Sequence, residues 1–121
     1  MAGLVVDVVP APTATLVRVC GVVDLASIAQ FRDRLETLPG RDTVMEVSEV
    51  GLLCAAGLGV LLDLQGRLTA LGARLVLAAP CRLVRRVVTV LELQTWLPMA
   101  PTVDDALTSL RSAGRTRTTA G

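Results

Sequence analysis

The residues of this chain best suited to chemistry are its three cysteines. Cys54 precedes Ala55 and Ala56 at the predicted start of a helix, and Cys81 stands at the predicted start of the next one. A thiol gains reactivity at a helix N-terminus. Helices that follow neighbouring parallel strands begin at one edge of a sheet, so Cys54 and Cys81 are candidates for a redox-controlled disulfide, which needs Cα atoms roughly 4.4–6.8 Å apart. The alternative is that Cys20 and Cys81 are ordinary small buried residues.

Familiar catalytic and metal-binding patterns are missing from the sequence. Because the chain has no histidine, it has no Ser-His-Asp or Cys-His catalytic group and lacks a common zinc ligand. There is no Cys-x-x-Cys pair. Gly57-x-Gly59 lacks the third glycine of a dinucleotide-binding loop, and no lysine is present for a phosphate-binding loop. We therefore predict a protein that is not an enzyme and that has no metal site and no cofactor.

Composition limits the possible partners. The 121 residues suit one domain, and 12 basic residues against 11 acidic ones leave a net charge of +1. A nearly neutral chain has no general attraction for phosphate backbones, so direct nucleic-acid binding is not expected. The longest uncharged apolar stretch, Val50–Leu62, is shorter than the roughly 20 residues that a membrane-spanning helix needs, and it is expected to be a buried core segment. An odd number of cysteines without disulfide-type spacing favours the cytoplasm.

Hydrophobic periodicity predicts alternating strands and helices. Strands are predicted at Leu4–Val9, Ala14–Cys20, Thr43–Val47, Arg74–Ala78 and briefly within Pro98–Pro101. Helices are predicted after Asp24 as N-cap, from the Val50–Leu62 stretch to Gly72, after Pro80 and after a capping box at Thr102. The second helix has Leu58, Leu61, Gln65 and Leu68 along one side. A proline-bearing turn joins the first two strands, which indicates an antiparallel pair.

This order of elements is typical of an α/β domain. We expect a mainly parallel sheet of about four to five strands, with about four helices packed on it through right-handed crossovers. Residues 1–112 are expected to form this single domain. The small, polar and arginine-bearing end of the chain, residues 113–121, is expected to be a disordered tail.

Residues 51–62 resemble the signature of the STAS domain family, which includes the bacterial anti-sigma-factor antagonists. The family's loop reads roughly Asp-Ser-Ser-Gly-Leu-Gly, whereas this chain has Cys-Ala-Ala-Gly-Leu-Gly over residues 54–59. The resemblance runs from Leu4 to Leu110, since further segments match in the same order. They are Gly21–Asp24 for Gly-Glu-Leu-Asp, Met45–Ser48 for Leu-Asp-Leu-Ser, Ala79–Pro80 for Asn-Pro and Val84–Val87 for Val-Arg-Arg-Val.

The resemblance implies the STAS fold and a protein that binds rather than catalyses. Its partner would be an anti-sigma factor, of the histidine-kinase-like ATPase type. In the family, the first serine of the loop accepts a phosphate that switches binding off, and the matching position here is Ala55, which has no oxygen to phosphorylate. The resemblance assigns partner binding to Asp24, Leu25, Ser48, Cys54, Ala55, Ala56, Gly57 and Leu58.

Loss of the phosphate acceptor leaves several functions open. An unmodified serine and an alanine are both small and uncharged, so the plainest hypothesis is an antagonist that binds constitutively. Thiol control through Cys54 and Cys81 is a variant of that hypothesis. The chain could instead be a scaffold subunit of a transporter, for example a lipid-transport ATPase, or of a stress-signalling complex, or a divergent copy that folds but no longer binds. We predict a monomer or a weak dimer.

Overall fold

The structure, a computed structural model, describes residues 3–120, with side chains described for residues 3–112. Its strands are β1 (Leu4–Pro10), β2 (Thr15–Val23), β3 (Thr43–Leu53), β4 (Leu75–Ala78) and β5 (Met99–Ala100). Its helices are α1 (Ile28–Glu36), α2 (Ala55–Ala70), α3 (Arg82–Val90) and α4 (Val103–Ala120). The predicted α/β fold is confirmed. The expected disordered tail falls on residues 113–121, whose side chains lie outside the described part, and it stays a prediction.

The five strands form one sheet in the order β1-β2-β3-β4-β5. β1 and β2 are antiparallel, with Leu4 opposite Gly21 and Pro10 opposite Thr15, which confirms the predicted strand pair. β2 to β5 are parallel to one another. The parallel strands therefore end at the same edge of the sheet, and the helices that follow them begin at that edge.

Helices cover both faces of the sheet. The larger core lies between the sheet and α1, α2 and α3, where Phe31, Leu68 and Val88 are fully buried. On the opposite face, α4 packs Ala106 and Leu110 against the β3–β5 half of the sheet and forms a smaller core. The entrances of α2 and α3 consequently lie on one side of the domain, and α4 lies on the other.

β3 is longer than the sequence predicts. It continues past Val47 to Leu53, although its pairing with β4 ends where Glu46 lies opposite Ala78. Beyond that point β2 is its only neighbouring strand among the described residues. The predicted strand end at Val47 is therefore wrong, and the apolar residues 50–53, which precede the predicted helix start at Cys54, belong to the strand. An unbroken apolar run has no periodicity that would mark the change from strand to helix.

α1 begins at Ile28 rather than directly after Asp24. Asp24 Oδ1 accepts hydrogen bonds from the backbone N–H groups of Ala26 and Ser27, each at 3.0 Å, and so closes a turn before the helix. Ser27 holds the N-cap position without a side-chain cap, since its Oγ accepts the Asp24 N–H at 3.0 Å and donates to the Val22 carbonyl at 2.8 Å. The predicted N-cap at Asp24 is thus corrected, since its carboxylate stabilises the preceding turn instead.

Two other predicted helix-terminus signals are confirmed. Gly72 follows α2 with φ at +78°, a conformation that favours glycine, and its N–H donates to the Thr69 carbonyl at 3.0 Å. At the start of α4, the Asp105 N–H donates to Thr102 Oγ1 at 3.0 Å, which is the N-cap half of the capping box. The helix ends that the sequence marks with glycine and threonine are therefore built as expected.

Candidate functional site

The start of α2 is fixed to the end of β2 by the backbone. The Cys54 N–H donates to the Val23 carbonyl at 2.9 Å, and the Cys54 carbonyl accepts the first helical hydrogen bond from Leu58 at 3.1 Å. Ala55 and Ala56 are exposed, and Cys54 is half-buried. We call Cys54, Ala55 and Ala56 the α2 entrance. Its backbone is anchored while its methyl groups face solvent, so it is accessible to a second protein.

In the part of the chain that the structure describes, the α2 entrance has no side-chain cap. Cys54 is the N-cap residue, with φ −78° and ψ 167°, and it makes no side-chain cap hydrogen bond. The first turn of α2 contains no acidic residue. First-turn N–H groups have no partner within a helix, and they give its N-terminus a partial positive charge. The α2 entrance is therefore a small surface without formal charge, at the positive end of a helix.

Gly57 lets α2 start close to the sheet. A Cβ atom at Gly57 would lie 2.7 Å from Val23 Cγ1 and 2.9 Å from Leu53 Cδ1, closer than real Cβ contacts allow. Gly57 and Leu58 are both buried. These two predicted partner-binding residues therefore position the α2 entrance, and they offer little surface for direct contact.

Replacing Gly57 with alanine is expected to lower the free energy of unfolding by about 1–3 kcal/mol, because the added methyl group overpacks the β2–α2 contact. The matched control is Gly59→Ala on the same helix, where an added Cβ has no heavy atom within 4 Å. That control is expected to raise the free energy of unfolding by up to about 1 kcal/mol through helix propensity. Urea denaturation measures both. Equal gains in the two variants would contradict the tight approach at Gly57.

Leu25 stands at the tip of the turn closed by Asp24 and is 82% exposed. The Asp24 residue is half-buried and its carboxylate accepts the backbone N–H groups of Ala26 and Ser27, so it holds this turn in place. Because Val23 accepts the Cys54 N–H just before the turn, Leu25 lies beside the α2 entrance. The structure therefore brings together five of the predicted partner-binding residues: Asp24, Leu25, Cys54, Ala55 and Ala56.

Ser48 is separated from this group. It lies within β3, and its Oγ donates to Glu46 Oε1 at 3.0 Å. Glu46 in turn forms an ion pair with Arg18 at 3.6 Å. Roughly six extended residues separate Ser48 from Cys54, which amounts to roughly 20 Å of strand. The family resemblance assigns Ser48 to partner binding together with the α2 entrance, and that role stays a prediction.

Leu52 belongs to the surface around the α2 entrance, although its sequence context predicts burial. It lies opposite Val22 at the end of β3 and is 45% exposed. Among the described residues no strand pairs with β3 on its β4 side at this point. The only signal in the sequence would have been the shortness of β4, which leaves the second half of β3 without a partner strand on that side.

The three cysteines are half-buried free thiols. Cys81 Sγ donates to the Val50 carbonyl at 3.3 Å and so ties the start of α3 to the part of β3 that extends beyond β4. A disulfide between Cys54 and Cys81 would have to break this hydrogen bond. Redox pairing of the two residues stays a prediction.

The described residues also bear on two other possible features, a membrane-spanning helix and a metal site. Within the part of the chain that the structure describes, no helix combines the length and the apolar character needed to cross a membrane. Among the same residues, no group of three or more histidine, cysteine, aspartate or glutamate side chains is placed to hold a metal ion.

Comparison with known proteins points to one family. The family model described as "Mlab, STAS domain" matches residues 6–101. Among proteins with curated functions, none matches this chain. An anti-sigma factor antagonist from Mycobacterium paratuberculosis is similar in structure, with a TM-score of 0.76 and 25% sequence identity over 90% of this chain and 95% of that one.

Two further solved structures share the fold at lower identity. The anti-sigma factor antagonist SpoIIAA of Bacillus, in its unphosphorylated form, has a TM-score of 0.72 at 19% identity and covers 89% of this chain and 97% of that one. The murine anion transporter of solute carrier family 26, member A9, has a TM-score of 0.69 at 18% identity. That match covers 83% of this chain but only 18% of the transporter chain. The same fold therefore occurs in small antagonists and as a minor part of a transporter.

Proposed function

This chain belongs to the STAS domain family, and we propose that it binds an anti-sigma factor of the histidine-kinase-like ATPase type without control by serine phosphorylation. The structural likeness to anti-sigma factor antagonists supports the general role. The observation that supports the proposal most is the α2 entrance, which is exposed, free of charged side chains and provided with alanine at position 55.

The chemistry of position 55 argues for a permanently binding form. A phosphate would add about 1.5–2 negative charges there, and the positive end of α2 would stabilise it. Such a charge would have to be desolvated within an interface, which opposes binding. Alanine excludes the modification and has nearly the size of the unmodified serine. The α2 entrance therefore corresponds to the unphosphorylated state of a phosphorylatable antagonist such as SpoIIAA, which has been described in both forms.

Two exposed leucines supply the apolar contact that a partner needs. Leu25 is 82% exposed and Leu52 is 45% exposed, and they flank the α2 entrance on the β2 and β3 sides. Complete burial of a leucine side chain is worth roughly 1.5–3 kcal/mol. Small apolar anchors around an uncharged centre suit a protein partner, whereas a small ligand would require a concave site.

The proposal is tested with the purified chain and the anti-sigma kinase of its own genome. In the presence of ATP, we expect a stable complex by calorimetry and an unchanged intact mass for this chain. A serine-bearing antagonist phosphorylated by the same kinase serves as the positive control for kinase activity. Absence of a complex would refute the proposed function, and phosphate on residues 54–57 would refute the loss of phosphorylation control.

Thiol control is a second form of the same proposal. Cys54 lies in the α2 entrance itself, and Cys81 holds the start of α3. Oxidation that linked them would change the surface that the partner contacts. Peptide mass spectrometry after mild oxidation, with Cys54→Ser as the control, detects the link. If no Cys54–Cys81 link forms and affinity for the partner is unchanged, thiol control is excluded.

A scaffold role in a transporter is the second candidate function. The likeness to a segment of an anion transporter is a likeness of fold alone, at 18% identity. The two candidates differ in what the chain binds, since a scaffold would bind transporter subunits with or without the anti-sigma kinase. Purification of the tagged chain from its own cells, followed by binding assays with each purified partner, separates them.

A further inference from the structure

α3 presents three arginines whose side chains have no partner among residues 3–112. We call Arg82, Arg85, Arg86, Thr89 and Val90 the α3 stripe, since these residues line one shallow, open depression of about 480 Å³. Their spacing of three and four residues places them on one face of the helix. All five are exposed. α3 therefore has a continuous outer face whose first half is basic and whose second half is small and apolar.

Several arginines elsewhere in the described residues bond to the backbone, whereas Arg32 on α1 is exposed and makes no side-chain hydrogen bond or ion pair with residues 3–112. Arg34 donates to the Val6 carbonyl on the free edge of β1 at 2.8 Å. Arg67 donates to the Leu35 and Leu38 carbonyls at the end of α1, at 2.8 and 3.1 Å. For the three arginines of the α3 stripe, by contrast, residues 3–112 provide neither a carboxylate within ion-pairing distance nor a hydrogen-bond acceptor. The fold does not use these guanidinium groups.

The position of the charges is also unfavourable for the helix. A helix N-terminus is positive, so acidic residues stabilise the first turn and basic residues the last. α1 and α2 follow this rule with Arg34 and Arg67 in their last turns, and α4 follows it with acidic residues in its first turn. α3 has no acidic residue in its first turn and no basic residue in its last. Arg82 instead adds a positive charge at the positive end. A local rule that is broken without structural gain points to a functional site.

Because α3 contains basic residues and no acidic ones, charge is distributed unevenly over the protein. The chain has 12 basic and 11 acidic residues, and α3 contains three basic residues and no acidic one. The rest of the chain therefore has nine basic and eleven acidic residues and is slightly negative. A general polyanion such as nucleic acid or an anionic membrane would need a broadly basic surface. A narrow basic stripe suits a partner whose negative charges are confined to one short segment.

We propose that the α3 stripe is a docking surface for an acidic helical segment of a protein partner. Carboxylates at helical spacing would pair with Arg82, Arg85 and Arg86, and a small apolar end would cover Thr89 and Val90. Arginine suits this task, because its planar guanidinium binds carboxylates in a bidentate manner. The stripe also begins at the same edge of the sheet as the α2 entrance, since α3 follows β4 there and Cys81 bonds to Val50 in the part of β3 that extends beyond β4.

This inference rests on the proposed function only in assigning the acidic segment to the anti-sigma factor. The stripe itself is a property of α3. A partner seated on the α2 entrance would extend along α3, so one protein would use both surfaces. The chemistry of the partner is then specified: an apolar site for Leu25 and Leu52, and an acidic helix next to it.

The test uses the full chain labelled with ¹⁵N and a synthetic helical peptide with glutamates at positions i, i+3 and i+4, followed by alanine and leucine. We expect chemical-shift changes concentrated in residues 82–90. The double variant Arg82→Glu/Arg85→Glu is expected to weaken peptide binding about tenfold or more, as loss of close charge pairs does. The control Arg32→Glu/Arg111→Glu makes the same change in net charge on exposed positions of α1 and α4 and is expected to retain binding.

The variants also separate docking from a structural role. Because a glutamate is favourable in the first turn of a helix, the α3 double variant is expected to unfold at the same temperature or higher while it loses the peptide. Equal loss in the control pair, shift changes spread over the domain, or tighter binding of anionic phospholipid vesicles than of the peptide would overturn the proposal. If the anti-sigma kinase binds wild type and the α3 variant equally, the inference fails and the proposed function stands. If the peptide binds α3 and the kinase binds neither chain, the proposed function fails and the docking surface stands.

Discussion

Replacing Ala55 with aspartate is expected to weaken the complex with the anti-sigma factor about tenfold or more, a loss of roughly 1.4 kcal/mol or more. Ala55 is exposed in the α2 entrance, where an added carboxylate takes the place of the phosphate. The same carboxylate should stabilise the free domain, since a negative charge in the first turn of a helix contributes about 0.3–1 kcal/mol. Affinity and stability are thus expected to change in opposite directions.

The matched control for this prediction is Ala55→Asn, which has nearly the shape of aspartate without its charge. If charge is the cause, the asparagine variant should retain most of the affinity of wild type. Isothermal titration calorimetry measures binding, and thermal unfolding of the free chain measures stability. An aspartate variant that binds as tightly as wild type would show that the α2 entrance is not the interface. Equal losses of affinity in both variants would show that the partner discriminates by the size of this side chain rather than by its charge.

The sequence predicts this fold well where polar residues interrupt the apolar pattern. Gly72 and Thr102 mark helix ends that the structure confirms, and the prolines between β1 and β2 mark the antiparallel turn. Prediction of the end of β3 fails in the apolar residues 50–53, although the helix start at Cys54, predicted from the family motif, is confirmed. Apolar residues suit a strand and a helix equally, and the length of β3 is set by tertiary pairing with β2, which local sequence does not encode.

The same limit bears on the candidate site. The family motif locates the α2 entrance, and the structure shows it exposed beside Leu25. The family resemblance assigns Ser48 to partner binding, whereas the structure places it within β3, and the sequence conceals the exposure of Leu52 because the neighbours of that residue are apolar. Both residues take their places from the mismatch in length between β3 and β4. This difference in strand length becomes visible only when the two strands are paired in the sheet, so neither strand's own sequence reveals it.

The roles of the individual arginines likewise become clear only from their contacts in the folded domain. The sequence shows twelve arginines and no lysine, without distinguishing one from another. In the structure some of the described arginines bond to backbone carbonyls, as Arg34 and Arg67 do, whereas three that bond to nothing among residues 3–112 lie together on α3. Their grouping on one helix face distinguishes the α3 stripe from Arg32 on α1, which is also exposed and without a partner among those residues.

Replacing Gln65 with leucine is expected to lower the free energy of unfolding by about 2–4 kcal/mol, although leucine fits the apolar side of α2 better by sequence. Gln65 is 8% exposed, and its Nε2 donates to the Leu75 carbonyl at 2.9 Å and to the Trp96 carbonyl at 2.8 Å. Its Oε1 accepts the Leu75 N–H at 2.9 Å. One side chain thus joins α2 to the first residue of β4 and to the turn before β5.

The large expected loss comes from what the leucine would leave behind. Glutamine and leucine are similar in size, so the cost of a cavity is small, but the buried Leu75 N–H and two carbonyl oxygens would lose their partner. The control is Gln94→Leu, the same change at an exposed position, which should alter the free energy of unfolding by less than about 0.5 kcal/mol. Urea denaturation followed by fluorescence of Trp96, the single tryptophan, measures both variants. Equal small effects would mean that water replaces the glutamine bonds, and that the β4–β5 half of the sheet, from which α3 and its arginines extend, is held by apolar packing alone.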